Sequence, residues 1–416
     1  MKKAFLLIMI WVLLALVSGG RGLRANAQQP PTNPIGNPCD QLRLGQGCTV
    51  FYASDGGLAL GGNNEDYWNP FTKMWFLPAQ DGQHGRVYFG FDDFIPQGGM
   101  NDAGVFFDGL GVENVTVPLQ RKPVYGGILM DKAMADCATV QCVLNVFDTY
   151  DRGGTWNGQL LVGDATGDAA IIEPLAIIRK TDWYLLATNF YQSQTRPEDI
   201  TCWRYKTAQA MLDEAGKPSV DLFRDVLGAV HQEGQAQTLY SNVYDLKQRL
   251  VYLYFFHDFE HEIVLNLDEE LAKGPHTVDL PSLFPDNEAY ATWAHYRIER
   301  FNARQEAGLA QNIDPGVYAS YVGEYAIPAE LGVPYTTIVV SSDDGHLYGD
   351  IVGDHAPERE LFPQSETTFF HLDSERNSEF TVTFMTGDDG KVTQMLFQPG
   401  SGPEIPLMKV DAQTAS

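Results

Sequence analysis

The sequence predicts an α+β protein, a layered domain of strands and helix pairs followed by a small all-β module. Two observations lead there. Short β-patterned runs from residue 48 to about 110 give way to helical stretches, then strands, then helices and strands again. That order suits layered α+β packing better than the strict strand–helix alternation of a parallel sheet. Beyond Pro315 only short alternating strands remain, separated by Asp344-Gly345, Pro363-Gln364-Ser365 and Asp389-Gly390, as in a small barrel or sandwich.

The chain has 416 residues, 44% of them hydrophobic and 12% aromatic. That is enough for two or three domains with substantial cores. Lys2 and Lys3 precede an unbroken apolar run over residues 4–17, and Ala25-Asn26-Ala27 has the small-x-small form of a cleavage site. Residues 1–27 therefore read as a secretory signal, and the mature protein is expected to be secreted or periplasmic and free of the membrane. Residues 28–47 are polar and proline-rich at their start, which suits a prosegment or linker. The net charge of −26 disfavours nucleic acid and anionic lipid as partners. Oligomeric state is not legible.

The elements follow in order. Residues 48–53 and 58–63 flank Asp55-Gly56, a hairpin signal. Strands are expected at 73–78, 85–91 and 105–110, with a turn over Gly98–Gly104. Helices are expected at 126–136 and 139–150, strands at 160–162, 169–173, 176–179 and 184–189, and helices at 201–214 and 220–233. Strands at 240–244, 249–256 and 262–267 complete the domain. Residues 287–307 form an amphipathic helix with Tyr290, Trp293, Ala294, Ile298 and Phe301 at helical spacing, ending at Gly308. The domain plan is 48–285 for the layered domain, 286–311 for a linker helix and 312–416 for the β module.

Cys48 carries the chemistry. It follows Gly47 and opens a strand. Cleavage of the Gly47–Cys48 bond would place a thiol and an α-amine on one terminal residue. Such an amine, with an ordinary pKa of roughly 7.7–8.0, can serve as base for its own side chain. A two-residue hairpin loop would set Cys48 across from Asn63, with Asp66 just past the strand end. The five cysteines leave one thiol unpaired if the others bridge. Cys137 and Cys142 can pair if the helical stretch breaks between them. The pairing of Cys39, Cys137, Cys142 and Cys202 stays open, and a structural Cys39–Cys48 bridge is the competing reading of the nucleophile.

Several motifs together resemble the linear-amide C–N hydrolases of the N-terminal nucleophile superfamily. That group includes choloylglycine hydrolases, penicillin V acylases and isopenicillin-N acyltransferase-like proteins. The motifs are Gly47-Cys48-Thr49, Gly62-Asn63-Asn64-Glu65-Asp66-Tyr67-Trp68, Gly99-Met100-Asn101-Asp102-Ala103-Gly104, Thr188-Asn189-Phe190 and Arg204. The resemblance spans about residues 48–280. It implies an αββα sandwich and autocatalytic removal of the leader. It also implies roles: Cys48 as nucleophile, Asp66 holding the amine and nucleophile, Asn189 in the oxyanion hole, and Arg204 in support. The arginine that bile-salt members carry before the acidic residue is absent, because Gly62-Asn63-Asn64 stands there. Their second oxyanion amide falls near Gly111, which offers only backbone. Residues 315–410 are similar to a β module found behind β-lactamase-type serine hydrolases, through Tyr321-Val322-Gly323-Glu324-Tyr325, Gly345-His346-Leu347-Tyr348 and Glu360-Leu361-Phe362-Pro363.

The expected function is therefore hydrolysis of a small-molecule amide through a thioester. An acyltransferase of the same family and an inactive secreted binding protein are the alternatives. Asn63, Asn64, Tyr67, Trp68 and Phe190 are candidate substrate contacts. His257-Asp258-Phe259-Glu260-His261 matches a zinc pattern in letters only. That pattern needs a helix, and strand-like runs flank it here, so it reads as a polar turn. No metal or other cofactor is expected.

Overall fold

The computed structural model describes residues 47–410 except 235, 310–312, 329–334, 353–357, 374–377, 388 and 400–402. The expected signal segment, the leader up to residue 46 and Cys39 lie outside the described residues. Two compact units are formed, one within residues 47–293 and one from residue 294 onward together with 92–94.

The first unit begins with the hairpin β1 (Thr49–Ser54) and β2 (Ala59–Tyr67), then β3 (Thr72–Leu77), β4 (Arg86–Phe91), β5 (Gly98–Asn101) and β6 (Val105–Val117). Helices α1 (Leu129–Asp136) and α2 (Val140–Thr149) precede β7 (Gly154–Asp164), β8 (Ala169–Ile172), β9 (Ile177–Arg179) and β10 (Tyr184–Ala187). Helices α3 (Trp203–Ala215) and α4 (Val220–Ala229) lead to β11 (Gln237–Asp245), β12 (Leu250–Phe255), β13 (Asp258–Asn266), the short α5 (Leu267–Leu271) and β14 (His276–Asp279). One sheet runs β10-β1-β2-β11-β12-β13 and the other β14-β3-β4-β5-β6-β7-β8-β9.

Strand alternation sorts the layers. In β1, Val50 and Tyr52 point into the core between the sheets, beside Phe89 and Phe106. Phe51 and Ala53 point the other way, onto Ala208, Leu212, Phe223 and Val226 of α3 and α4. Helices α1 and α2 lie on the far side of the second sheet, against β5 and β7. The result is the expected αββα sandwich. Gly61 is what lets the sheets approach: a Cβ there would sit 2.7 Å from the Phe106 ring.

Local chemistry sets the helix ends. Thr139 and Ser219 cap α2 and α4 by accepting from the N–H of Cys142 (3.3 Å) and Leu222 (3.1 Å). Gly216 ends α3 in the left-handed region at φ 69°. The break between α1 and α2 holds the Cys137–Cys142 disulfide. Helix α4 stops at Ala229 rather than running to Glu233, and His231 Nδ1 takes the Gly228 carbonyl at 2.6 Å. Gly98–Asn101, read as turn, is a buried strand. Asn101 fastens α1 to it by donating to the carbonyls of Met134 and Cys137, both at 2.8 Å.

Helix α6 (Glu288–Leu309) runs through Gly308, where the sequence suggested its end. In the second unit, a short α7 (Tyr318–Tyr321) precedes eight strands, β15 (Gly323–Ala326) to β22 (Ile405–Lys409), which close into an antiparallel barrel. Tyr321 stacks on Phe384 at 4.2 Å and meets Phe369 edge-on in its apolar interior. No described helix is long and apolar enough to cross a membrane.

Candidate active site

The site grows from the register of the first hairpin. Ser54 faces Ala59 and Thr49 faces Asn64, so the next pair brings Cys48 to Glu65. The expected two-residue loop would have brought Asn63 there. Instead Asp55 Oδ1 accepts from the N–H of Gly57 (2.9 Å) and Leu58 (2.8 Å), and this Asx turn lengthens the loop to four residues. Asp66 consequently lies inside β2, not beyond its end. Cys48 is a buried free thiol. That overturns the Cys39–Cys48 bridge; Cys202 is itself disulfide-bonded.

The thiol faces the second sheet, where Sγ donates to Glu65 Oε1 at 3.8 Å. Asp108 of β6 belongs to the same layer, and its charge and that of Glu65 bear on each other. So does Tyr240, which stands opposite Glu65 across β11. In this layer Asn63 and the Gly109 N–H support the Asp108 carboxylate, while Glu65 Oε2, the Tyr240 hydroxyl and Asn242 Oδ1 are buried without a hydrogen bond among the described residues. Such groups are costly to bury dry.

The opposite face of β2 is fully bonded. Asn64 donates to the Leu227 carbonyl (2.9 Å) and accepts from Ser241 Oγ (2.7 Å), which fastens α4 to the sheet. Asp66 accepts from Gln232 Nε2 at 2.5 Å through Oδ2 and from Thr238 Oγ1 through Oδ1. Arg204 is fully buried, with Nη1 3.8 Å from Asp66 Oδ2. It donates to the Cys48 carbonyl (2.6 Å), Thr49 Oγ1 (3.1 Å) and Asn189 Oδ1 (2.7 Å). Asn189 Nδ2 in turn donates to the carbonyl of Gly111 at 2.8 Å. The structure thus gathers Cys48, Asp66, Asn189 and Arg204 into one network. Asn63 joins the thiol side, and Asn64 the helix side. Tyr67 is buried, stacks on Trp68 (5.1 Å) and meets Phe91 at a tilt (5.0 Å), while Phe190 meets Tyr205 edge-on at 5.3 Å.

Gln232 was not foreseen. Its Nε2 donates to the Gly47 carbonyl at 2.7 Å as well as to Asp66. One amide therefore joins the carbonyl ahead of Cys48 to the central carboxylate. A Cβ on Gly47 would stand 2.3 Å from that same nitrogen and would push the Gln232 amide aside. Glu65, readable from its period-2 partnership with Asn63, was also passed over. Gln232, Thr238 and Asp108 are remote in sequence and carry no local signal.

Burial governs the electrostatics. It pushes the Cys48 thiol well up, and Glu65, Asp66 and Asp108 push it further, against the Asp66 backbone N–H. Burial also lifts Glu65, with Asp66 adding to it. Asp66 itself rises to about 7, burial outweighing Arg204, Thr238 and Gln232. With its amine still in a peptide bond, Cys48 is held as the neutral thiol.

The His-x-x-Glu-His stretch is no helix. Phe256 and His257 form a turn at φ 44° and 66°, and Asp258 already begins β13. His261 pairs with Asp258 at 2.6 Å.

Residues 310–413 match a family model described as a domain of unknown function, DUF3471. No curated protein matches the chain. Among solved structures, a mutant conjugated bile acid hydrolase from Clostridium perfringens is similar at 13% identity and TM-score 0.44, covering 58% of this chain and 97% of its own. The penicillin V acylase from Agrobacterium tumefaciens is similar at 16% identity and TM-score 0.46, covering 56% and 91%. Likeness at this level does not transfer an activity.

Proposed function

We propose that the chain is the precursor of an exported N-terminal-cysteine amidohydrolase. It cleaves itself at Gly47–Cys48 and then hydrolyses linear amides of small N-acyl compounds. The observation that carries this reading is the dressing of one peptide bond. Its carbonyl oxygen receives the Gln232 N–H at 2.7 Å, and the thiol that follows rests on Glu65 at 3.8 Å.

In the precursor the α-amine cannot act as base, so Glu65 takes the Sγ proton as sulfur adds to the Gly47 carbonyl carbon. The oxyanion is met by Gln232. The Gly47–Cys48 C–N bond then breaks, the proton passes to the Cys48 nitrogen, and a Gly47 thioester and a free amine result. Water cleaves the thioester to the Gly47 carboxylate and the thiol. In the mature protein the new amine lies on the residue that Arg204 and the Asp66 network hold. It accepts the thiol proton and delivers it to the leaving amine of a substrate. Asn189, oriented by Arg204, keeps a second amide N–H beyond the one on Gly111 for the substrate oxyanion. Water resolves the acyl thioester.

The unpartnered polar atoms of Glu65, Tyr240 and Asn242 suit a substrate with a polar portion near the scissile bond. Tyr67, Trp68 and Phe190 are the candidate apolar contacts. A panel of N-acyl amides, assayed against processed protein and Cys48→Ala, tests the reading. Turnover confined to the wild type is expected; turnover by Cys48→Ala as well would remove the thiol from the chemistry.

A further inference from the structure

We infer a binding site for a divalent transition metal, of the zinc type, formed by His231 and Glu233 of the loop that carries Gln232 and by His257 of the turn between β12 and β13. One ligand atom from each of the three lies within 4.8 Å of the others. The imidazole rings are 4.8 Å apart between centroids.

Hydrogen bonding fixes which ring atoms are offered. His231 Nδ1 lies 2.6 Å from the Gly228 carbonyl. A carbonyl only accepts, so Nδ1 carries the proton and Nε2 presents a lone pair. That lone pair faces Glu233 Oε1 at 3.2 Å. Two electron-rich atoms at this distance need a cation between them or a proton on the ring. His257 repeats the arrangement: one nitrogen is bonded to the Gln232 backbone carbonyl, and Nε2 is buried without a partner among the described residues. Imidazoles that donate through one nitrogen to backbone and aim the other at a common point are the usual form of metal-ligating histidines. Two imidazoles and one carboxylate, with a coordination position left over, suit zinc-type ions rather than calcium or magnesium, which prefer all-oxygen sets.

Backbone geometry agrees. His257 stands with Phe256 at the tip between β12 and β13, both at positive φ. Asn and Gly suit such a tip best, so the turn itself gives no reason for these residues. His231 and Glu233 flank Gln232 in sequence, and His257 holds the Gln232 carbonyl. A bound ion would therefore pin the residue whose amide lies on the Gly47 carbonyl. That consequence, faster self-cleavage with metal, rests on the processing proposed above; the site itself does not.

The test uses the full chain without a tag, carrying Cys48→Ala so that the thiol neither reacts nor competes. Metal-stripped protein is titrated with Zn2+ by calorimetry and with Co2+ by visible absorption. About one equivalent at micromolar affinity or tighter is expected, with a Co2+ spectrum of low coordination number. His257→Gln and His231→Gln should each weaken binding roughly tenfold or more. Their thermal melts without metal check that they fold. Absence of binding, binding only at millimolar metal (an adventitious ion only), or equal affinity in folded His257→Gln overturns the site. Failure of the processing proposal appears separately, as a wild-type chain that keeps its leader whether or not zinc is bound.

Discussion

At the scale of single residues, the proposed first cleavage divides its work between Gln232 and Glu65. Gln232→Met keeps the length of the side chain and removes its N–H. Leader release from purified precursor, followed by intact mass, is expected to slow by roughly 10²–10³-fold, as for the loss of one oxyanion donor. An unchanged rate in a variant that melts normally would take Gln232 out of the reaction. The raised carboxylates also make a stability prediction. Asp66 reaches about 7 when folded and Glu65 moves the same way, so the folded chain holds more protons than the unfolded one between about pH 4 and 7. Their contribution is complete below pH 4 and is lost as pH rises through that window. The melting temperature of Cys48→Ala precursor should therefore fall from pH 5 to pH 8, and Glu65→Gln should flatten the slope. A melting temperature that climbs over this range would mean that burial does not dominate at these groups.

At the scale of elements, buried side chains that reach across layers hold the site in place. Asn101 supplies two N–H bonds to the end of α1 and accepts from Val105 N at 2.9 Å. Asn101→Ala leaves those backbone groups buried and unpaired, and a loss of about 1–3 kcal/mol is expected in urea unfolding. No measurable loss would place the helix anchor elsewhere. Most elements could be read from pattern: the hairpin of β1 and β2, the helix pairs and the run of barrel strands all follow from periodicity and turn residues. What could not be read came from side chains answering to backbone. Asp55 lengthened a loop by two residues and so moved Cys48 from Asn63 to Glu65. His231 took a helix-end carbonyl, and the last four residues of an expected helix became the loop that carries Gln232. Cys48, Asp66, Asn189 and Arg204 were legible through a set of short motifs. Asp108, Gln232 and Thr238 reach the site only through sheet order and loop packing, which no local stretch encodes.

At the scale of the whole molecule, Glu65, Asp66, Arg204 and Gln232, named around the Gly47–Cys48 bond, all belong to the first unit. The barrel has its own apolar core around Tyr321, Phe369 and Phe384. Phe384→Ala should cost about 3–5 kcal/mol within that core and leave the rate of leader release as in the wild type. A matching loss of processing would make the barrel part of the reacting assembly. The measurement that reaches deepest is the identity of the first residue of active protein, by N-terminal sequencing and intact mass, beside Cys48→Ala prepared in the same way. Active wild type is expected to begin at Cys48, while the variant keeps Gly47 and the leader before it. Full activity in a wild-type chain whose Gly47–Cys48 bond is still whole would contradict the self-cleaving nucleophile outright.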